Sequence, residues 1–293
     1  MIPIEYLIVL CCAFIYAIGG IYSKRAMSSG AGVGRTLVAY NWLIFLGFIP
    51  LALTQAPQVD WSLWHWPILA GALFFFGQLG TFAAIRVGDV SVQSPMMGTK
   101  MVFVAGFSVL LGAEEVPLSW WIGAFLSMIG IFLLSGSPIQ KRRGTLFAIL
   151  LSLMSAACFG LCDVLVAAHA MSFSSVVFPV FMMGVAAVFS LFIVPFFRAG
   201  FRDMGRDTAK WFWIGGAFLT LQGMGLYFAL SHYGQATALN ILYSSRGIWS
   251  VVIVWTVGKW FANSEQREAG HFMMVKRLSG AMLMMVAIVL VLQ

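Results

Sequence analysis

"GQLGTFAAIRVGDVSVQSPMMGTKM", residues 77–101, lies over "GMGLYFALSHYGQATALNILYSSRG", residues 223–247, when the chain is slid along itself by 146 positions. The superposition pairs Gly77 with Gly223, Ala83 with Ala229, Gly88 with Gly234 and, near its end, Lys100 with Arg246. A shorter and weaker match lays "AIGG" at 17–20 over "CFGL" at 158–161. The chain therefore reads as two related halves, each with a cation set inside an apolar stretch, and the setting of those cations decides the fold.

Of 293 residues, 61% are hydrophobic and only 9% charged, with a mean hydropathy of +0.95. Soluble domains carry roughly 25% charged residues, so the composition indicates a membrane protein. Apolar stretches separated by polar or glycine-rich breaks predict ten membrane helices, at about 5–23, 36–54, 66–86, 91–112, 118–136, 144–168, 175–197, 211–231, 237–261 and 274–292. This is an all-α polytopic class in which uninterrupted apolar length is the signal. The breaks carry turn chemistry, as in "SSGAGVG" at 28–34, "TQAPQVD" at 54–60 and "SGSP" at 135–138. The first stretch, Tyr6 to Tyr22, lacks a basic leader and exceeds a typical signal core, so it is read as a span. Cys11, Cys12, Cys158 and Cys162 all fall within predicted helices and indicate neither a disulfide framework nor a metal site.

Setting aside Lys100 and Arg246, the remaining fifteen of the 17 basic residues fall at odd-numbered loops. Lys24, Arg25 and Arg35 flank the first loop and Arg86 the third; Lys141, Arg142 and Arg143 mark the fifth. Arg198, Arg202, Arg206 and Lys210 belong to the seventh, and Lys259, Arg267, Lys276 and Arg277 to the ninth. The even loops hold Asp60, Glu114 and Glu115 instead. By the positive-inside rule the odd loops are expected in the cytoplasm and both termini outside. The net charge of +7 thus marks a membrane face and implies no nucleic-acid partner. Trp61, Trp64 and Trp66, Trp120 and Trp121, and Trp211 and Trp213 stand at span ends, where interfacial rings collect.

Five spans per copy give the copies opposite orientations, the inverted-repeat design of many secondary transporters, whose substrate site lies near the midplane. The repeats are placed at 1–138 and 139–293. Lys100 lies about nine residues, or roughly 13 Å, from either end of span four, beyond the reach of a snorkelling stem. A midplane cation costs at least about 2.5 to 3.5 kcal/mol on insertion scales and is expected to face a wet cavity or an anion. Asp163 is the one acid well inside a span. About five residues from the end of span six, it reads either as an interfacial group or as a partner of one cation. Two cations against one acid leave a positive surplus, which favours a ligand with negative charge.

The ten-span 5+5 plan, the span-four tail "FSVLLGAEEVPLSWWIGAFLSMIGIFLLSG" at 107–136 and the helix-one pattern "AFIYAIGGIYSKRAM" at 13–27 resemble the EamA-type branch of the drug/metabolite transporter superfamily. The resemblance implies a basket in which spans one, three, four, six, eight and nine surround a cavity while five and ten lie peripherally. It also implies alternating access, and a structural role for Glu114 or Glu115 as the helix-four glutamate. The chain departs from that pattern in three places. Relatives often carry a proline where "GTKM" stands here, so Lys100 occupies a site uncharged in them; span nine ends in "VGKWFANSEQ" without a glycine-glutamate pair; and many relatives have both ends in the cytoplasm.

On those spans the expected substrate-binding residues are Tyr16, Tyr22, Gln78, Gln93, Thr99, Lys100, Asp163, Gln222, Tyr227, Asn240, Tyr243, Ser244 and Arg246, with Ser94 and Ser245 beside them. Asn240, Tyr243 and Ser244 share one helical face. Lys100 and Arg246 are expected to hold a carboxylate or phosphate, and Asp163 to receive an amine or carry a coupling proton. The reading is a secondary transporter of the inner (plasma) membrane for an amino acid or another small anionic or zwitterionic solute, with export, exchange and facilitated diffusion all open. The alternative is a carrier of a neutral solute or nucleotide sugar with Lys100 and Arg246 in structural salt bridges. An intramembrane enzyme would need clustered His, Asp, Glu or Ser-His groups, whereas His65, His169, His232 and His271 lie dispersed at span ends or loops. No cofactor is expected. The partners are the lipid bilayer and a small molecule, with the unit a monomer or a homodimer.

Overall fold

The computed structural model describes residues 3–55, 58–87, 93, 95–135, 144–197, 200–257 and 271–293. Every regular element among them is helical. We number the α-helices α1 (Ile4–Ala26), α2 (Val33–Gln55), α3 (His65–Val87), α4 (Lys100–Leu110), α5 (Leu118–Leu134), α6 (Thr145–Phe173), α7 (Val177–Ser190), α8 (Arg206–Tyr233), α9 (Ala236–Tyr243), α10 (Arg246–Val257) and α11 (His271–Leu292). Among the described residues, seven helical segments are long and apolar enough to cross a membrane; Met97–Leu110 and Leu118–Leu134 are shorter apolar helices. Among the described residues each of the ten predicted stretches contains helix, and the chain is a multi-pass membrane protein.

Span boundaries follow backbone chemistry. The chain leaves α1 through a π-helical turn, Met27–Ala31, in which Gly30 (φ 100°) takes a conformation that a Cβ would strain. Pro117 precedes α5 and Gly144 precedes α6. Two predicted spans prove discontinuous. Span four enters α4 through a 3-10 segment, Met97–Thr99, immediately before Lys100. Span nine breaks between α9 and α10 at Ser244 and Ser245, immediately before Arg246. The two breaks coincide in the 146-residue superposition. At the second, Ser245 and Gly247 donate their N–H groups three residues back, to Leu242 and Ser244, so the break is a tightened turn with paired backbone.

Packing joins the two halves across the midline. The most extensive contacts are α1 with α8, α3 with α6 and α5 with α11; α2 meets α7, and α4 meets α9. Exchanging the halves turns the α1·α8 pair into α6·α3 and leaves the other three pairs in place. Small residues allow the close approach. A Cβ on Gly225 of α8 would lie 2.5 Å from Cys12 of α1, one on Gly77 of α3 3.1 Å from the Phe159 ring of α6, and one on Gly130 of α5 2.9 Å from the Gly280 carbonyl of α11.

Loop contacts fall into two sets. On one side, Arg35 donates to the carbonyls of Gly200 and Gly30, and Thr208 donates to Ser29 O at 2.9 Å, tying the first loop to the seventh. On the other, Asp60 N donates to Phe173 O at 3.1 Å, Tyr6 Oη donates to Gln235 Oε1 at 3.0 Å, and Glu114 meets Thr237. Odd loops meet odd loops and even loops meet even loops or the chain start, as alternating helix directions require.

Candidate functional site

A cavity of about 690 Å³ lies among the helices. Its walls are Tyr16, Gly20 and Ser23 of α1, Thr36, Tyr40 and Ile44 of α2, Phe74, Gln78 and Thr81 of α3, Gln93 and Lys100 of span four, Leu134 and Ser135 at the end of α5, Phe159 of α6, Gln222 and Tyr227 of α8, Tyr243 and Ser244 beside the span-nine break, and Arg246 and Ser250 of α10. On most helices these positions run from the middle toward the end that adjoins an odd-numbered loop; on α8, Gln222 and Tyr227 lie past the middle toward the other end. The opposite half is packed by Phe173, Phe178, Met182 and Leu230, all at most 1% exposed.

The cations sit at the breaks in spans four and nine, where a turn of uneven pitch points a long side chain inward. Lys100 Nζ lies 2.6 Å from Asp163 Oδ2, with both side chains buried. Tyr227 Oη donates to Asp163 Oδ1 at 3.4 Å, and the Lys100 ammonium lies 6.0 Å from the Phe159 ring centre. The interfacial reading of Asp163 is overturned. Helix α6 extends to Phe173, beyond the predicted end at 168, and Asp163 is fully buried.

Arg246 is held differently. Its guanidinium carbon lies 4.6 Å from the Tyr16 ring centre and 4.7 Å from that of Tyr243. Aromatic faces attract a cation, by about 0.5 to 2 kcal/mol each, but remove no net charge. Among the described residues Arg246 has no carboxylate within ion-pair distance. In the exchange of halves that relates α4 to the span-nine helices and α6 to α1, the Lys100–Asp163 ion pair therefore corresponds to an Arg246–Tyr16 cation–π contact.

Other polar groups on the walls are already committed to one another. Gln78 and Asn41 exchange amide hydrogen bonds at 2.8 and 2.9 Å. Tyr243 Oη donates to Gln222 Oε1 at 2.6 Å, while Gln222 Nε2 donates to Leu219 O at 3.0 Å. Tyr40 Oη donates to Phe212 O at 2.9 Å, leaving Ser23 Oγ to donate to Tyr40 at 3.1 Å. Ser250 Oγ donates to Arg246 O at 2.7 Å.

Of the residues expected from sequence, Tyr16, Gln78, Gln93, Lys100, Gln222, Tyr227, Tyr243, Ser244 and Arg246 line this cavity. Asp163 stands behind Lys100. Tyr22 is stacked on Trp211 and Phe218 at 5.6 and 6.0 Å, Thr99 Oγ1 donates to Met96 O within its own turn, and Asn240, fully buried, donates to Ala236 O. None of these three is a wall residue, and Ser94 lies outside the described residues. Two helices outside the expected six reach the cavity: α2 through Thr36, Tyr40 and Ile44, and α5 through its last turn. Spacing i, i+4, i+8 puts Thr36, Tyr40 and the apolar Ile44 on one face, too weak a polar pattern to mark that face in the sequence. Glu114 is placed at the start of α9, where its Oε2 accepts from Thr237 N and Oγ1 at 3.1 and 2.7 Å, the work of a helix cap.

Residues 3–136 match the model of the EamA-like transporter family. An uncharacterized transporter of Archaeoglobus fulgidus is 29% identical over 159 residues, covering 52% of this chain and 55% of that protein, so the chain spans about half the length of that curated relative. A crystal structure of a protein superposes with a TM-score of 0.75 over 98% of this chain and 96% of its own, at 17% identity, a likeness of fold alone. The resemblance carried by the helix-one pattern and the span-four tail is thus borne out over the first half of the chain.

Proposed function

We propose that this multi-pass membrane protein, whose first half carries the EamA-like transporter pattern, is a secondary transporter that moves a small anionic or zwitterionic metabolite across the inner (plasma) membrane by alternating access. The observation that carries the reading is Arg246, a cation without a carboxylate partner among the described residues, on the wall of a cavity between the halves. A structural cation would be neutralised as Lys100 is; a cation left without a counter-charge on a cavity wall suits a ligand that brings the charge. The two halves form inverted repeats, 1–138 and 139–293, supported by the matching breaks before Lys100 and Arg246 and by the exchange-symmetric helix pairs. The cavity occupies the half of the bundle next to the basic loops. With those loops in the cytoplasm, this is an inward-facing state, and rocking of the halves would expose the same residues to the other side.

The neutral-solute alternative draws support from the Lys100–Asp163 pair but leaves Arg246 unexplained. Flux decides between them. Purified protein in proteoliposomes is expected to give saturable uptake of labelled solutes from an anionic or zwitterionic panel, and Arg246→Ala to lower it at least about tenfold, the loss of a charge-assisted contact. Uptake confined to neutral sugars and indifferent to Arg246→Ala would contradict the reading.

A further inference from the structure

We infer that the cavity takes an organic monoanion with an apolar body, in preference to a zwitterion or a dianion, an inference that rests on the transporter reading and narrows its substrate. Charge is the first ground. Lys100 is matched by Asp163 at 2.6 Å, so the site offers one net positive charge, at Arg246. A dianion would leave a charge unmatched in a poorly hydrated space, a costly arrangement.

Acceptors are the second ground. A zwitterion's ammonium needs a carboxylate or a free carbonyl-type oxygen. Among the described residues the walls carry no Asp or Glu. Asp163 is already engaged by Lys100 and Tyr227, Gln78 Oε1 by Asn41, and Gln222 Oε1 by Tyr243. Of the wall's amide oxygens only that of Gln93 has no donor among the described residues, so an ammonium would find a neutral acceptor there and no carboxylate that is not already paired. A carboxylate needs donors alone, and guanidinium supplies them in a fork that fits it.

Shape is the third. A carboxylate fills little of about 690 Å³, and the rest of the wall is largely apolar, with Ile44, Phe74, Phe82, Met97, Leu134 and Leu226. Pockets of this size hold drug-sized molecules and bury most of their surface.

A charge series on one ring tests this: indole-3-acetate (anion), tryptophan (zwitterion), tryptamine (cation) and indole-3-acetamide (neutral). Binding to the full-length detergent-solubilised protein is read by the melting temperature, which a ligand of the folded state raises, and flux of the same compounds is read in proteoliposomes. Indole-3-acetate is expected to give the largest shift. Its Kd should weaken at least about tenfold in Arg246→Gln and recover in part in Arg246→Lys, which keeps the charge without the fork. The wild-type series decides even if Arg246→Gln does not fold. Equal or larger shifts from tryptophan or the neutral amide would overturn the monoanion inference and leave the transporter reading standing, as would no shift from any of the four. Binding of indole-3-acetate with the expected charge order but without flux would support the anion site and overturn transport.

Discussion

Lys100 and Arg246 occupy equivalent places in two copies of one pattern, yet one meets a carboxylate and the other two aromatic rings. The difference lies in what the facing helix supplies, a carboxylate from Asp163 on α6 against the ring of Tyr16, at a different register, on α1. It turns a symmetric scaffold into a site with a single available charge. Removing one partner of a buried ion pair strands the other in a medium that cannot solvate it, so Lys100→Ala or Asp163→Ala alone should cost about 3 to 5 kcal/mol. The double variant should recover most of that loss. Unfolding of the three proteins in detergent, compared as a double-mutant cycle, checks the coupling, and additive losses would contradict it. The cost of charge in lipid was enough to single out these three residues from sequence. A pairing of Asp163 with one cation was readable, but neither which cation nor the burial of Asp163 was, because α6 continues to Phe173 and that extension carries His169 past the apolar run.

At the scale of elements, helix existence was legible and helix rotation was not. Lipid demands long apolar runs whatever their partners, so each predicted stretch contains helix among the described residues. Which face turns inward is a separate matter, since a helix apolar all round gives no stripe to read. Hence α2 and the end of α5 reached the cavity against expectation, and Tyr22, Thr99 and Asn240 turned away from it. Glycines test the packing directly. Gly20→Ala places a methyl in open cavity space and should be neutral or stabilising by up to about 1 kcal/mol through helix propensity. Gly130→Ala drives a Cβ to 2.5 Å from Met284 and 2.9 Å from the Gly280 carbonyl, and should cost about 1 to 3 kcal/mol by overpacking. Denaturant midpoints for the two variants should therefore shift in opposite directions or not at all for Gly20; a loss at Gly20 equal to that at Gly130 would contradict the packing.

In the whole molecule, a cavity on the basic-loop side faces a packed half opposite, held by the Tyr6–Gln235 and Glu114–Thr237 contacts. The repeat we propose was suggested by the self-match at 146 residues, whereas which side stands open is a property of the packed state that no local pattern encodes. Gly20, on the cavity wall with nothing within 4 Å of an added Cβ, is the position from which to read it. The measurement is labelling of Gly20→Cys by a membrane-impermeant maleimide in vesicles of known sidedness, with Cys11, Cys12, Cys158 and Cys162 replaced. Alternating access predicts fast labelling from the basic-loop side and slower labelling from the other, the slow route being lost when cysteines at Tyr6 and Gln235 are joined by a bifunctional cross-linker. Labelling from neither side of a folded protein, or a slow route that survives the cross-link, would contradict the account.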